Sequence, residues 1–288
     1  METAVWNLVC DDVRPEELPA LSAKLDAAGL FPVPGESSER FLDRLKQLRR
    51  ELEALQRGSS DLLALIADAS PVSGALRDRA AELTRETFRF HAEWVPAWYS
   101  SRQTGFLSAG ILLEVDRKVP LLFLHSAFSR CARRMGYDAA ETMAHELVHA
   151  VRTAFPPSVY EEYFACRMSC SAFRRCVGSL FRRWYLALFF FGGFAATPIL
   201  AAAEIPFWPM PLLLPLLVIL RESLLRRRLC RAAAALRRAG LEPLPVLLRL
   251  SDCEIAETAG ESPEKIRKKA AVSFRWRLFQ ERFPLTDG

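Results

Sequence analysis

Leucines recur at helical spacing in the first third of the chain. Between residues 38 and 58 they occupy positions 42, 45, 48, 52 and 55, each three or four residues from the next. This period places them on one face of a helix, and Gly58 marks its end. Residues 61–69 and 74–90 continue in the same style. Residues 1–90 are therefore predicted to form a helical N-terminal region, with the pattern of a helix-bundle face.

Two short apolar runs follow, and a polar turn separates them. GFLSAGILLEV (105–115) and VPLLFLHSAF (119–128) are rich in leucine, β-branched and aromatic side chains, and the three residues between them are Asp-Arg-Lys. This pattern predicts a strand pair or hairpin. Together with the helices it indicates the α+β class.

The longest apolar stretch runs from residue 184 to 220. It holds 37 residues and one charged side chain, Glu204. A single helix of that length would overshoot a bilayer, which needs about 20 apolar residues. Two passes, at roughly 184–203 and 205–220, fit better. The second contains Pro209, Pro211 and Pro215, so a tilted or re-entrant element is an alternative. The run of phenylalanines at 189–191 argues against a buried soluble hairpin.

Arginines flank this stretch on both sides. Four precede it and four follow it: Arg174, Arg175, Arg182 and Arg183, then Arg221, Arg226, Arg227 and Arg228. Basic flanks stay on the cytoplasmic side of a membrane. Both termini, and the domain that precedes the apolar stretch, are therefore predicted to be cytoplasmic. The opening METAVWNLVCDD lacks the apolar core of a signal peptide. The net charge of +5 suits a nearby anionic lipid surface.

The segment between the two apolar regions carries the candidate chemistry. His145-Glu146-Leu147-Val148-His149 places two imidazoles one helical turn apart, on the same face. Asp138 is a candidate N-cap with Glu141 three residues later, and Pro156-Pro157 break the run. Zinc accepts two imidazoles at this spacing, and Glu146 is then placed to take a proton from a water on the ion. Two histidines that merely pack or face solvent are the alternative.

A second helix is the predicted source of a third ligand. A hydrolytic zinc site uses three protein ligands and keeps one position open. Ser158 can begin a helix that runs to residue 176, with Glu161 and Glu162 in its first turns. A tight turn at the double proline would return one carboxylate to the two imidazoles. The residues alone leave Glu161 and Glu162 as alternatives.

These two segments resemble the gluzincin branch of the zincin metallopeptidases. In that family a second helix supplies a glutamate ligand, often within Asn/Glu-Glu-x-x-Ala, and Glu161-Glu162-Tyr163-Phe164-Ala165 fits this pattern. The resemblance covers about residues 95–175. It implies these roles: zinc ligation by His145, His149 and Glu162, and general-base catalysis by Glu146. The spacing from His149 to Glu162 is shorter than in larger members, which suits a compact zincin-like domain.

The resemblance also implies a sheet beside the metal helix, whose edge strand pairs with an extended peptide substrate. Tyr160, Tyr163 and Arg152 are candidates for stabilising the oxyanion of such a reaction, and the sequence does not choose among them. His125, in the second apolar run, is interpreted as a core or surface histidine.

Cysteine usage agrees with a reducing compartment, since the seven cysteines are odd in number and lack paired spacing. Cys166 and Cys170 would share a face of the predicted second helix, which makes a second metal site conceivable. No CxxC pair or histidine stands near them, so Cys166, Cys170 and Cys176 are interpreted as buried small residues.

The C-terminal tail supports a competing interpretation. LSDCEIAETAGESPEKIRKKA (250–270) has the pattern of a helix-turn-helix, with a turn at Gly260 and a basic second helix from Ser262-Pro263 onwards. Its basic residues are Lys265, Arg267, Lys268 and Lys269. Helix pairs of this kind are common in packed bundles, so nucleic acid is disfavoured as a partner.

The sequence thus predicts four regions. They are a helical N-terminal region (1–90), a zincin-like metallopeptidase core (91–180), a two-pass transmembrane hairpin (184–220) and a basic helical cytoplasmic tail (221–288). The expected function is that of a membrane-tethered zinc peptidase, which hydrolyses a peptide or protein substrate on the cytoplasmic side. The alternative is a non-catalytic, membrane-anchored regulatory protein that binds its partner through the tail.

Overall fold

Helices dominate the structure, and they enclose one small sheet. The computed structural model describes residues 4–10, 12–59, 62–106, 108–115, 119–181 and 184–285. Within these ranges the helices are α1 (Leu18–Ala27), α2 (Ser38–Gln56), α3 (Leu63–Ile66), α4 (Gly74–Phe88), α5 (Ser101–Thr104), α6 (Ala139–Ala150), α7 (Glu161–Cys166), α8 (Ala172–Val177), α9 (Trp184–Ala202), α10 (Leu213–Arg238), α11 (Pro243–Leu248), α12 (Asp252–Thr258), α13 (Pro263–Val272) and α14 (Phe274–Arg282). The strands are β1 (Ser70–Pro71), β2 (Ala97–Tyr99), β3 (Gly110–Val115), β4 (Val119–Leu124), β5 (Arg133–Arg134) and β6 (Tyr137–Asp138). The predicted α+β class is confirmed.

The principal sheet has the strand order β1-β2-β4-β3, so β3 forms one edge. β3 and β4 pair antiparallel, from Gly110 opposite Leu124 to Val115 opposite Val119, and β2 pairs parallel with β4. Every residue of β4 is buried, as expected for an unbroken apolar run covered on both faces. The predicted strand pair is confirmed, and its turn at 116–118 lies outside the described residues.

The leucine face predicted for residues 38–58 is buried. α2 turns Leu42, Leu45, Leu48, Leu52 and Leu55 into the core. Its first turn is capped by Ser37, whose side chain accepts a hydrogen bond from the Arg40 backbone N–H. The helix ends two residues before Gly58, which adopts a φ of 72°. The N-terminal helices therefore form part of the core.

The C-terminal segment belongs to the same core. One cluster of buried side chains extends from Val9 to Phe283. Within it, Arg249 and Asp26 form an ion pair with 2.6 Å between Nε and Oδ1, and both side chains are buried. Arg282 also pairs with Asp26, whereas loss of Asp26 would leave the buried charge of Arg249 uncompensated. These ion pairs fix the tail against α1.

The predicted helix-turn-helix corresponds to α12 and α13, and several of its basic side chains bond within the protein. Lys265 and Lys269 both form ion pairs with Glu261. Arg267 donates to the carbonyl of Ala239 at the end of α10. These side chains contribute to packing between the tail helices and α10.

A helical hairpin, α9 followed by the first part of α10, occupies the apolar stretch. Within the described residues α9 alone, at Tyr185–Ala202, is long and apolar enough to cross a membrane by length and composition. The two helices are in contact, and Gly193 permits the approach: a Cβ there would lie 2.5 Å from Pro215 Cδ on α10. Most large apolar side chains of the hairpin are exposed. Arg182 and Arg183 of the predicted flank lie outside the described residues.

The prediction of a single helix from Ser158 to residue 176 is wrong, because two separate helices occupy this range. Ser158 and the Val159 backbone N–H instead bond the carboxylate of Asp252, and helical structure begins only at Glu161. α7 ends at Cys166, and a new helix begins at Ala172, capped by the Ser171 side chain. Serine side chains compete with the backbone for hydrogen bonds, which accounts for the interruption at residues 167–171.

Candidate metal centre

α6 supplies the two histidines. Asp138 caps it as predicted: its Oδ1 accepts from the backbone N–H of Ala140 at 2.9 Å and of Glu141 at 3.3 Å. The Glu141 carboxylate bonds the Ser169 hydroxyl at 2.9 Å, so it holds the segment after α7. The apolar residues of α6 pack on α4, β3 and β4. His145 and His149 are only partly buried and point towards α7.

Three side chains with metal-binding atoms converge between α6 and α7. The Nε2 atoms of His145 and His149 lie 3.3 Å apart. Glu162 presents Oε1 to His145 and Oε2 to His149, at 3.5 Å in each case. Among the described residues this is the one group of three or more His, Cys, Asp or Glu side chains whose ligand atoms all lie within 4.8 Å of one another. α7 thus returns a carboxylate to the two imidazoles.

These separations fit a tetrahedral metal ion. A tetrahedron with metal–donor distances of 2.0–2.1 Å has edges of about 3.3 to 3.4 Å. The separation of the two Nε2 atoms matches that edge, and each of them lies at a similar distance from one of the two Glu162 oxygens. The side chains of His145, His149 and Glu162 are 27%, 20% and 22% exposed, so a fourth ligand can enter from solvent. Two imidazoles, one carboxylate and an open corner form a donor set that zinc accepts.

Glu161 and Glu162 lie against different ring nitrogens of His149. The Glu161 Oε1 lies 2.8 Å from His149 Nδ1, on the side of the ring away from His145. A carboxylate on the second ring nitrogen fixes the tautomer and orientation of a metal-binding histidine. The geometry therefore places Glu162 among the candidate metal ligands, whereas Glu161 contacts the His149 nitrogen that faces away from them.

The surroundings of His149 favour positive charge on its imidazole. Burial alone would lower the pKa of His149, but hydrogen bonds to Glu161 and Glu162 and the charge of Glu146 raise it to about 10. Burial likewise raises the pKa of Glu162, yet the hydrogen bond from His149 and the charges of both histidines lower it to about 2. Three carboxylates around two imidazoles stabilise a cation there, whether a proton or a metal ion.

Glu146 lies beside the donors and against the edge strand. Its side chain is buried and lines an open cleft of about 360 Å³ together with His145 and Glu162. Gly110, the first residue of β3, is in close contact: a Cβ there would lie 3.2 Å from Glu146 Cγ and 2.9 Å from Thr142 Cγ2. The edge strand β3 and the candidate base Glu146 are thus in contact at Gly110, which has no side chain to separate them.

The cleft also contains residues that the sequence analysis missed. Tyr137 and Arg174 line it, and the Arg174 guanidinium lies 3.8 Å from the centre of the Tyr137 ring. Tyr137 directly precedes the predicted cap of α6, which was a usable signal. Arg174 enters the cleft because the chain breaks after α7 and begins a new helix, and the sequence pattern did not indicate that break.

The predicted oxyanion candidates are not among the residues that line the cleft. Arg152 is buried and donates to the carbonyls of Leu248 and Leu250, and burial lowers its pKa to about 10. Tyr160 is also buried, and the Tyr163 hydroxyl accepts a hydrogen bond from Arg167. His125 caps the turn after β4, where its Nδ1 accepts from the Ala127 N–H. Through its bonds to Leu248 and Leu250, Arg152 joins the end of α6 to the C-terminal segment.

The interpretation of three cysteines needs correction. Cys166 is buried, but Cys170 and Cys176 are exposed, and Cys170 follows the end of α7, so no helix face is shared. The Cys166 thiol donates to Glu162 Oε1 at 3.3 Å. Burial and the neighbouring charge of Glu162 raise the pKa of this thiol well above its usual range. Cys166 is therefore a neutral donor that orients Glu162.

Gly110→Ala tests the contact between the edge strand and Glu146. The added methyl group forces β3 or α6 to move, and overpacking of this kind costs about 1–3 kcal/mol. We expect a lower melting temperature, measured by circular dichroism, because the added methyl group has no space between β3 and α6. Gly74→Ala is the matched control: a Cβ there has no atom within 4 Å. Equal behaviour of the two variants would contradict the contact.

No family model, curated protein or solved structure matches this chain.

Proposed function

We propose that this protein is a membrane-tethered, zinc-dependent peptidase that acts on the cytoplasmic side of the membrane. The observation that carries the proposal is the convergence of two histidine nitrogens and one carboxylate within 3.5 Å of one another, with Glu146 beside them on an open cleft. Two histidines and a glutamate form the ligand set of several zinc peptidases, and the resemblance to gluzincins points to the same chemistry.

The chain supplies the remaining groups that peptide hydrolysis requires. Zinc, when bound, lowers the pKa of a water ligand and polarises the carbonyl of the scissile bond. Glu146 accepts a proton from the attacking water and returns it to the leaving nitrogen. Tyr137 and Arg174 supply O–H and N–H donors on the same cleft for the charge that develops on the carbonyl oxygen.

The edge strand provides a place for the substrate backbone. Among the described strands β3 pairs only with β4, and residues 108–110 line the cleft next to Glu146. An extended peptide can pair with such an edge through its main chain, which leaves its side chains free to differ. A peptide bound in this way would pass across the candidate metal site.

Metal removal is the experiment that tests this function. Full-length protein, incubated with a mixture of unstructured peptides, should cleave some of them. Treatment with a chelator should abolish cleavage, and about one equivalent of zinc per chain should restore it. Cleavage that survives complete removal of metal, or no cleavage by protein shown to carry zinc, would contradict the proposal.

The hairpin is the proposed membrane anchor, with both of its ends on the cytoplasmic side. α9 has the length and composition for one crossing. The apolar part of α10, residues 213–220, amounts to about 12 Å of helix, so a return pass must include the turn before it. Tags at either terminus should be protected from protease added outside intact cells, whereas a tag at residue 205 should be cut. A terminus cleaved from outside would contradict this topology.

A further inference from the structure

The exposed apolar side chains of this protein are unevenly distributed. Outside the hairpin (184–220), the described residues expose seven large apolar side chains: Phe106, Met135, Tyr137, Phe173, Leu224, Val272 and Leu285. The first four come from three separate segments, and those segments meet at the mouth of the cleft. Phe106, Met135 and Phe173 are 79%, 62% and 72% exposed. Exposed apolar groups collected in one place mark a surface that binds something.

Direct contacts join the three segments. Arg134 donates to the carbonyl of Phe106, and its guanidinium lies 5.9 Å from the centre of the Phe106 ring. On the other side, Arg174 donates to the Gly136 carbonyl at 2.6 Å and stacks on Tyr137. Phe173 is its neighbour on α8. We call Phe106, Met135, Tyr137 and Phe173 the apolar rim.

The apolar rim is continuous with the base of the hairpin. α8 leads through the short helix Gly178–Phe181 directly towards α9. Arg226 of α10 donates to the Cys176 carbonyl, and the buried Ser179 hydroxyl bonds Glu222 of α10 at 2.6 Å. These bonds hold α8, and with it the apolar rim, against the part of the hairpin that would emerge from the bilayer.

Met135 occupies a position that an apolar side chain rarely takes. β5 and β6 are joined by the two residues Met135 and Gly136, both with positive φ, 47° and 78°. Two-residue turns of this kind favour asparagine or glycine, because a Cβ is strained at positive φ. An unbranched apolar side chain is thus displayed at the tip of a hairpin, despite the local backbone preference.

The charge around the tip points to lipid as the occupant. Residues 129–137 contain Arg130, Arg133 and Arg134 and no acidic residue. Arg133 is exposed, and its nearest carboxylate, on Asp138, lies 3.9 Å away. Apolar tips flanked by arginine are suited to the boundary between acyl chains and anionic headgroups.

We infer that the apolar rim is a second membrane contact, which holds the mouth of the cleft at the surface of the bilayer. The inference rests on the proposed membrane insertion of the hairpin. It narrows the substrate class, because peptide bonds that reach a cleft at headgroup level belong to proteins bound to the same membrane. A cytoplasmic protein in solution would have to approach the lipid surface to be cleaved.

The test uses an environment-sensitive nitrobenzoxadiazole label on the full-length chain. The accessible cysteines, Cys10, Cys131, Cys170, Cys176, Cys230 and Cys253, are changed to Ser. The label is attached at Met135→Cys or, as the control, at Val272→Cys, which replaces an apolar side chain that is 87% exposed. Proteins are reconstituted in vesicles of phosphatidylcholine and phosphatidylglycerol, and flotation reports whether the chain is membrane-bound.

We expect a blue shift and a several-fold rise in emission at position 135 relative to detergent-free buffer, with quenching by spin-labelled lipid and no change at position 272. Adding Phe106→Asp and Phe173→Asp should remove the shift while the protein still floats. An unshifted label at position 135 on floating protein would overturn the contact between the apolar rim and lipid. The same result is expected if the apolar rim binds a protein partner instead. Equal shifts at 135 and 272 would also overturn it. Protein that fails to float would refute the anchor together with the rim.

Discussion

Glu146→Gln is expected to abolish peptide hydrolysis while leaving zinc in place. The change keeps the size of the side chain and does not alter His145, His149 or Glu162. The amide cannot accept the proton of the attacking water, so the rate should fall by about 100- to 10,000-fold. Hydrolysis of a verified peptide and zinc content per chain are the two measurements.

Glu141→Gln provides the matched control for this experiment. Glu141 lies on the same helix and lines the same cleft, but its carboxylate bonds Ser169 and not the donor group. The amide oxygen of a glutamine at 141 can still accept the Ser169 hydrogen bond, so the segment after α7 keeps its position and the control should retain most of the activity. If Glu146→Gln cleaved the peptide at the rate of the unaltered protein, the hydrolytic role of this site would be refuted.

Glu162→Gln and Glu161→Gln should separate sharply in zinc affinity. Glu162 is one of three donors, so loss of its charge removes an anionic ligand. Glu161 acts through His149 Nδ1, and the loss of such a supporting carboxylate costs about 10- to 100-fold in affinity. A glutamine at 161 can still accept from the ring N–H, which favours the lower end of that range.

Competition with a chromophoric chelator measures both affinities on purified full-length protein. Glu162→Gln should bind zinc much more weakly than Glu161→Gln and should be inactive at zinc levels that saturate the latter. If Glu161→Gln released zinc while Glu162→Gln retained it, the assignment of the third donor would be off by one residue.

Much of the site was predictable because its signals are local. The spacing of His145 and His149 requires only a helix, and Asp138 marks where that helix begins. Leucine periodicity in α2 and the unbroken apolar run of β4 also report burial directly. Each of these patterns depends on residues within a few turns or one strand, which is the range over which sequence periodicity carries information.

The remaining features depend on contacts between distant residues. The segment before α7 is shaped by Asp252, more than ninety residues later in the chain. The break after Cys166 depends on Ser169 reaching Glu141 on another helix. The prediction of a continuous helix was therefore consistent with local helix propensity, but tertiary hydrogen bonds to Asp252 and Glu141 favour the interrupted structure. Arg174 and Tyr137 meet at the cleft only because of that break.

The choice between Glu161 and Glu162 shows the same limit. Both glutamates begin α7, and the family pattern alone favoured Glu162. The structure adds that Glu162 faces both Nε2 atoms, whereas Glu161 faces the opposite nitrogen of His149. A difference of one residue rotates a side chain by about 100° around a helix, so only the register of α7 against α6 separates their contacts.

Zinc K-edge X-ray absorption on the purified, zinc-loaded chain tests the central claim most directly. The account predicts about one zinc per chain with four nitrogen or oxygen ligands at about 2.0–2.1 Å, two of them with the scattering pattern of imidazole. His145→Ala should lose the metal. A sulfur ligand at about 2.3 Å, which would implicate Cys166, or zinc that persists with an unchanged spectrum in His145→Ala, would contradict the proposed site.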